Sequence, residues 1–308
     1  MRQLLNPYPE VRPEHPLIVR EARRLRWLKR AGSPERYSVK IILLIISIVL
    51  LLYVGWLIHW WLQTPNRPLG WTIYIVSTDF LKILAGASLL ASIPLDFVSI
   101  TSSLNSISSE IANGTWDLLR LTAVREGELV LAKHTTTQFR AWRTTMWVIG
   151  LRIAVFLIAA IVTIGAYLAE VSSYWQYRTV QESAAFFLVN LVPFAALFGV
   201  FILEPLWRMR AMTALGMVIS ARLRDDASAA LLAIAMVMAL WLTQAIVITA
   251  VVAGLSALLF VLSALSMGAL CAPIAMVLVI FPTVYGFYSL LKTWSLRQVA
   301  RHLFVLNR

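Results

Sequence analysis

The stretch "VKIILLIISIVLLLYVGWLIHWWL", Val39 to Leu62, decides the fold class: its 24 residues carry one charge, Lys40, near the start. A helix rises about 1.5 Å per residue, so a run of this length crosses the roughly 30 Å hydrocarbon layer of a bilayer. Further apolar runs follow at Phe80 to Ile100, Met146 to Leu168, Ala184 to Leu203 and Ala227 to Leu291. Of the 308 residues, 60% are hydrophobic and 14% charged, and the mean hydropathy is +0.78. These values lie outside the range of ordinary soluble domains. The sequence predicts an all-α, polytopic membrane protein.

The last run would extend roughly 100 Å as one helix, so it must fold back. Gly254 with Ser256, and Gly268 with Pro273, are the expected break points. The reading is a span to about Val252, a re-entrant pair from Ser256 to Ala272, and a final span ending near Leu291. About six crossings result.

Basic residues set the orientation, because cytoplasmic loops hold the excess of Lys and Arg. Ten lie in residues 1–40, five in 101–144, four in 204–228 and four in 292–308, out of 27 in all. The opposite loops hold Arg67 and Arg178. Both termini are therefore expected in the cytoplasm of a multi-pass protein of the cell membrane. The chain divides into a cytoplasmic N-terminal segment (1–38), a transmembrane domain (39–291) with a cytoplasmic segment at 101–144, and a basic cytoplasmic tail (292–308). The net charge of +12 reads as orientation and contact with anionic membrane lipids, and nucleic acid is not an expected partner.

Cys271 is the only cysteine, which excludes an intrachain disulfide and a Cys-only metal cluster. The opening "MRQLLNPYPEVRPEHP" is polar and Pro-rich with no short cleavable apolar core after it, so the first span is expected to remain. His15, His59, His134 and His302 show no ligand spacing, so neither a metal site nor a catalytic residue is expected. Within the spans, Asp79 and Lys82 are three apart on one helix face, as an ion pair or as part of a polar substrate route. Arg152 is expected to reach the cytoplasmic headgroups. Pro193 and Gly199 are expected to kink the fourth span.

Two cytoplasmic segments are amphipathic. "HPLIVREARRLRWLKR" (His15 to Arg30) places Ile18, Ala22, Leu25 and Leu28 at helical spacing, interrupted by Glu21 and Lys29. "KTWSLRQVARHLF" (Lys292 to Phe304) aligns Leu296, Val299 and Leu303. Each is read as a membrane-surface anchor or as an elbow helix that passes movement from a partner to the spans. In "EPLWRMRAMTALGMVISARLRDDAS", placed in the cytoplasm, Pro205 is expected to end or kink the preceding helix. The run Arg224 to Asp226 marks a polar turn.

Between the second and third spans stands "SSEIANGTWDLLRLTAVREGELVLAK", Ser108 to Lys133. Gly114 interrupts helix, Thr115 is a cap with Asp117 in the first turn, and Thr122 is a second cap. A short helix offering Trp116, Leu118 and Leu119 suits a groove on another protein, or the headgroup layer.

This tract resembles the signature of ABC transporter permease subunits of the type-2 exporter class. The resemblance rests on Glu110, Gly114-Thr115, Asp117, Leu118-Leu119, Thr122 and the closing Glu-Leu-Val-Leu-x-Lys at Glu128 to Lys133. It implies a coupling helix that docks into a cytoplasmic ATPase through Glu110, Gly114, Thr115, Trp116, Asp117, Leu118, Leu119 and Thr122. The N-terminal segment is similar to the family's connecting helix at Pro16, Arg20, Glu21 and Arg23, and "ALGMVISARLR" to its Gly-x-x-x-Ser stretch. Ala123 stands where the family usually has Pro, and Ala132 where it usually has Gly; both favour a more continuous helix.

No Gly-x-x-x-x-Gly-Lys-Ser/Thr loop occurs, so this chain is not expected to be an enzyme or to hold a cofactor. ATP and Mg belong on the separate ATPase. The second partner is another permease chain, identical or related. The resemblance implies export of a lipid, glycan, peptide or drug-like molecule. The alternatives are a non-transporting structural subunit of a larger membrane complex, or a channel.

Overall fold

The computed structural model describes residue 19 and residues 34–64, 69–104, 106–114, 126–174, 180–223, 225–264 and 268–305. Within these, 164–174, 180–193, 257–264, 268–275 and a few further residues are described by backbone alone. Pro16, Arg20, Glu21 and Arg23 of the expected elbow helix lie outside the described residues. So do Thr115, Trp116, Asp117, Leu118, Leu119 and Thr122 of the expected coupling helix.

Every regular element among the described residues is a helix. Helix α1 is Pro34–Gln63, with proline at the first helical position and Glu35 in the first turn, both favourable there. α2 (Leu69–Leu90) runs into α3 (Ser92–Leu104). The break between them falls where Pro94 has no N–H to offer the carbonyl of Leu90. α4 is a single short turn, Ser108–Ala112, and Gly114 just after it has φ of 65°, a left-handed conformation that suits glycine. The long helices α5 (Glu126–Tyr174), α6 (Val180–Arg222), α7 (Asp226–Ala264) and α8 (Gly268–Val305) complete the chain.

Five helical stretches among the described residues are long and apolar enough to cross a membrane: Glu35–Gln63, Ile73–Ala112, Gly127–Thr163, Ala227–Val251 and Met276–Leu303. Their outward faces are apolar: Leu51 is 73% exposed, Leu231 70% and Leu290 73%. Large bare apolar faces on several helices fit hydrocarbon surroundings far better than water. At 49 residues, α5 is roughly 70 Å long, more than twice the hydrocarbon layer, so much of it must project beyond.

α6 is the axis of the bundle. Its residues 211–221 are all buried, and it contributes to each of three apolar clusters. Leu206 and Met209 join the cluster of α1, α2, α3 and α5 around Trp142. Met212, Leu215 and Ile219 meet α3 and α7, while Met217, Val218 and Ala221 meet Ile107, α5 and α8. The spacings three and four apart put these sets on different helix faces. Two helix crossings need glycine: Gly216 lets α3 approach α6, and Gly150 admits Ile45 of α1 against α5.

Four expectations need correction. α7 runs as one helix through Gly254 and Ser256 to Ala264, and α8 runs from Gly268 through Pro273, so among the described residues the helix is not broken at Gly254, Ser256 or Pro273. In an apolar setting, a helix keeps its internal hydrogen bonds at the small cost of glycine. Pro205 does not end a helix, and 204–222 is a continuation of α6 rather than a separate tract. Lys292 to Val305 continues α8, and its stripe Leu296, Val299 and Leu303 packs on α5 and α6 rather than on a membrane surface. Arg152 is buried within the bundle.

Candidate functional site

Two polar constellations stand out against the apolar bundle, and both draw on α5 and α6. The first lies at the end where α3, α6 and α8 finish and α5 begins. There the Ser220 hydroxyl of α6 accepts bonds from the backbone N–H groups of Ile107 and Ser108, each at 3.1 Å. These are the donors a helix start leaves without partners, so Ser220 fixes the entry to α4. Glu110 of α4 forms a part-buried salt bridge with Lys133 of α5. The family-like tract is thus tied at Glu110, near its beginning, and at Lys133, its last residue, with Gly114 turning the chain between them. Of the expected coupling residues, Glu110 and Gly114 are described, and they lie on this clamp.

The second constellation is buried. Arg208 of α6 holds Asp96 of α3 through two contacts of 2.5 Å, Nε to Oδ1 and Nη2 to Oδ2. This is the bidentate fork that guanidinium geometry favours. Asp96 also accepts from the indole Nε1 of Trp241 on α7 at 2.9 Å. Glu204, one turn before Arg208, lies 3.2 Å from its Nη1. Arg152 Nη1 of α5 lies 2.7 Å from Glu204 Oε2, a contact of charge rather than an aligned hydrogen bond. Tyr288 of α8 donates its hydroxyl hydrogen to Glu204, and the Gln244 amide of α7 donates to the Tyr288 oxygen at 2.9 Å. Two carboxylates and two guanidiniums balance, as burial of charge requires.

Arg152 also answers the presence of Pro205. A proline cannot donate to the carbonyl four residues earlier, which here belongs to Phe201. Arg152 Nη1 donates to that carbonyl, while its Nη2 donates to Ser92 of α3 at 3.0 Å and its guanidinium lies 4.5 Å from the Phe201 ring centre. The helix continues because a side chain from α5 supplies the missing donor.

Asp79 and Lys82 pair at 3.1 Å with their side chains 49% and 72% exposed, apart from the buried network. Sequence reading missed Asp96, Glu204, Arg208, Trp241 and Tyr288 as a group. The available signal was Asp96 itself, a lone acid in an apolar run, which must find a cation. Among the described residues, no group of three or more His, Cys, Asp or Glu side chains is placed to hold a metal ion.

The arrangement can transmit displacement. α5 and α6 each carry one part of the end clamp, Lys133 and Ser220, and one part of the buried network, Arg152 and Arg208, so moving α4 against either helix bears on both. Compared with known proteins, the chain matches no family model, no curated protein and no solved structure.

Proposed function

We propose that the chain is the permease subunit of an ATP-driven ABC exporter. On this reading a separate cytoplasmic ATPase, carrying ATP and Mg, docks on the segment 108–133, and its cycle drives cargo along a pathway formed by two permease chains. Six helices then cross the cell membrane, α6 joining the five long apolar stretches as the fourth in chain order, and both termini face the cytoplasm. The cargo is a lipid, glycan, peptide or drug-like molecule moving outward.

The observation that carries this reading is the Glu110–Lys133 pair. Both belong to the family-like tract, and a docking segment transmits force only if it is joined stiffly to the spans. The Ser220 bonds add a third anchor, from the Gly-x-x-x-Ser stretch that the same resemblance singles out.

Extraction from the native membrane in mild detergent, followed by mass spectrometry of what co-purifies, tests it. A stoichiometric soluble subunit with a phosphate-binding loop is expected, with its ATPase activity uncoupled by replacing Asp117 and Leu118. Stable membrane partners without such a subunit overturn the proposal in favour of a structural subunit.

A further inference from the structure

We propose that Pro205 is a hinge in α6 and that Arg152 is the clamp that holds it closed. The inference does not depend on the transporter reading. α6 is 43 residues long, and Pro205 lies in its interior, where the missing N–H and the ring loosen one turn. Arg152 bridges that turn by bonding the Phe201 carbonyl and pairing with Glu204. Beyond the proline, Arg208 is held by Asp96.

Both sides of the joint enter the cluster around Trp142, with Leu206 and Met209 after the proline and Phe198 and Phe201 before it, and Tyr288 of α8 bonds Glu204 before it; the part after it has further attachments of its own. The part after Pro205 is fixed to α3 by the Gly216 crossing, to α4 through Ser220, and to α8 through the cluster of Val299 and Leu303. Glu204 stands between two guanidiniums, Arg152 and Arg208. A tilt of α6 that moves this carboxylate toward Arg208 takes it from Arg152, whose carboxylate partner is Glu204, whereas Arg208 keeps Asp96; both guanidiniums are paired in the closed position, and that is what holds the joint there.

The test measures the bend within α6 itself. Spin labels at Ala195→Cys and Arg222→Cys, both exposed, flank Pro205 in a Cys271→Ala background, about 40 Å apart along a straight helix. Pulsed dipolar spectroscopy in lipid nanodiscs is expected to give a narrow distance distribution for the otherwise unaltered chain. Arg152→Gln broadens it and adds a shorter component. Combining Arg152→Gln with Pro205→Ala restores the narrow form, because residue 205 then supplies the N–H that Phe201 lacks. Should Arg152→Gln fail to accumulate, Arg152→Lys keeps a charge near Glu204 without bridging to Ser92, and broadens the distribution to a smaller degree. A second label pair at Leu43 and Leu62 of α1, both exposed, stays unchanged throughout. An unaltered α6 distribution in the Arg152 variants, no rescue by Pro205→Ala, or equal broadening in α1 overturns the hinge.

Discussion

Gly216 of α6 and Ser103 of α3 meet so closely that a Cβ on the glycine would stand 2.0 Å from the serine Oγ. The serine side chain can move away, but the Ile100 carbonyl, at 2.8 Å, is backbone and cannot. Gly216→Ala is therefore expected to push α3 off α6 at a cost of about 1–3 kcal/mol, the range for overpacking a tight core. Thermal unfolding in detergent measures it. Adding Ser103→Ala should recover only part of the loss, and full recovery would mean that the backbone contact is unimportant.

Two aspartates in the stretch Ile73–Ala112 should respond very differently to neutralisation. Asp96 has 0% side-chain exposure and a bidentate Arg208 partner at 2.5 Å. Asp96→Asn leaves a buried guanidinium underpaired, and losses of about 3–5 kcal/mol are usual in that situation. Asp79 is 49% exposed and pairs with an exposed lysine, so Asp79→Asn should cost less than ~1 kcal/mol. Denaturation of the two variants side by side checks the contrast, and similar losses would place Asp79 in a role that its geometry does not reveal.

The helices were legible in the sequence where one local property suffices. Val39 to Leu62 is long and apolar, and it lies within α1. Leu296, Val299 and Leu303 have helical spacing and do share a buried face; what covers that face is decided by Leu129, Met217 and Val218, far away in the chain. Pro205 shows the same limit. Its missing N–H is visible in the sequence, but the replacement donor, Arg152, stands 49 residues from the carbonyl it serves. Asp96 announces a need for a cation, and nothing local chooses Arg208 over Arg152. Of the site residues, Glu110 and Lys133 could both be singled out by their places in a motif, whereas their pairing took its meaning from the fold.

Acidification should weaken the start of α7. Asp225 accepts from the Ser228 hydroxyl at 2.7 Å and from the Ser228 backbone N–H at 2.9 Å, an N-cap arrangement. These bonds, the hydroxyl first, favour the carboxylate and lower the Asp225 pKa below its ordinary 3.8. A lowered folded-state pKa means that the stabilisation is complete above the ordinary carboxylate value and is lost as pH falls through the lowered one. Asp225→Ala should remove this component, so that the stability of variant and parent converges at the acid end. Chemical denaturation across that range detects it, and a constant difference at every pH would exclude a charge-dependent cap.

Ser220 gives the sharpest test of how the end clamp is held. Its hydroxyl oxygen is the acceptor for two backbone donors, Ile107 N and Ser108 N, and Ile107 is fully buried at 0% exposure. Ser220→Ala leaves both donors without that acceptor, and each buried donor so stranded costs about 1–3 kcal/mol. The Glu110–Lys133 pair and the apolar cluster of Ile107 with Leu129 and Val299 remain, so the loss should be local. Hydrogen exchange is expected to speed up at residues 107 and 108 while the amides of 139–159 in α5 stay protected. Ser220→Thr keeps the hydroxyl and should retain slow exchange if its extra methyl fits. If Ser220→Ala exchanges no faster than the parent at 107 and 108, α4 is positioned by apolar packing alone.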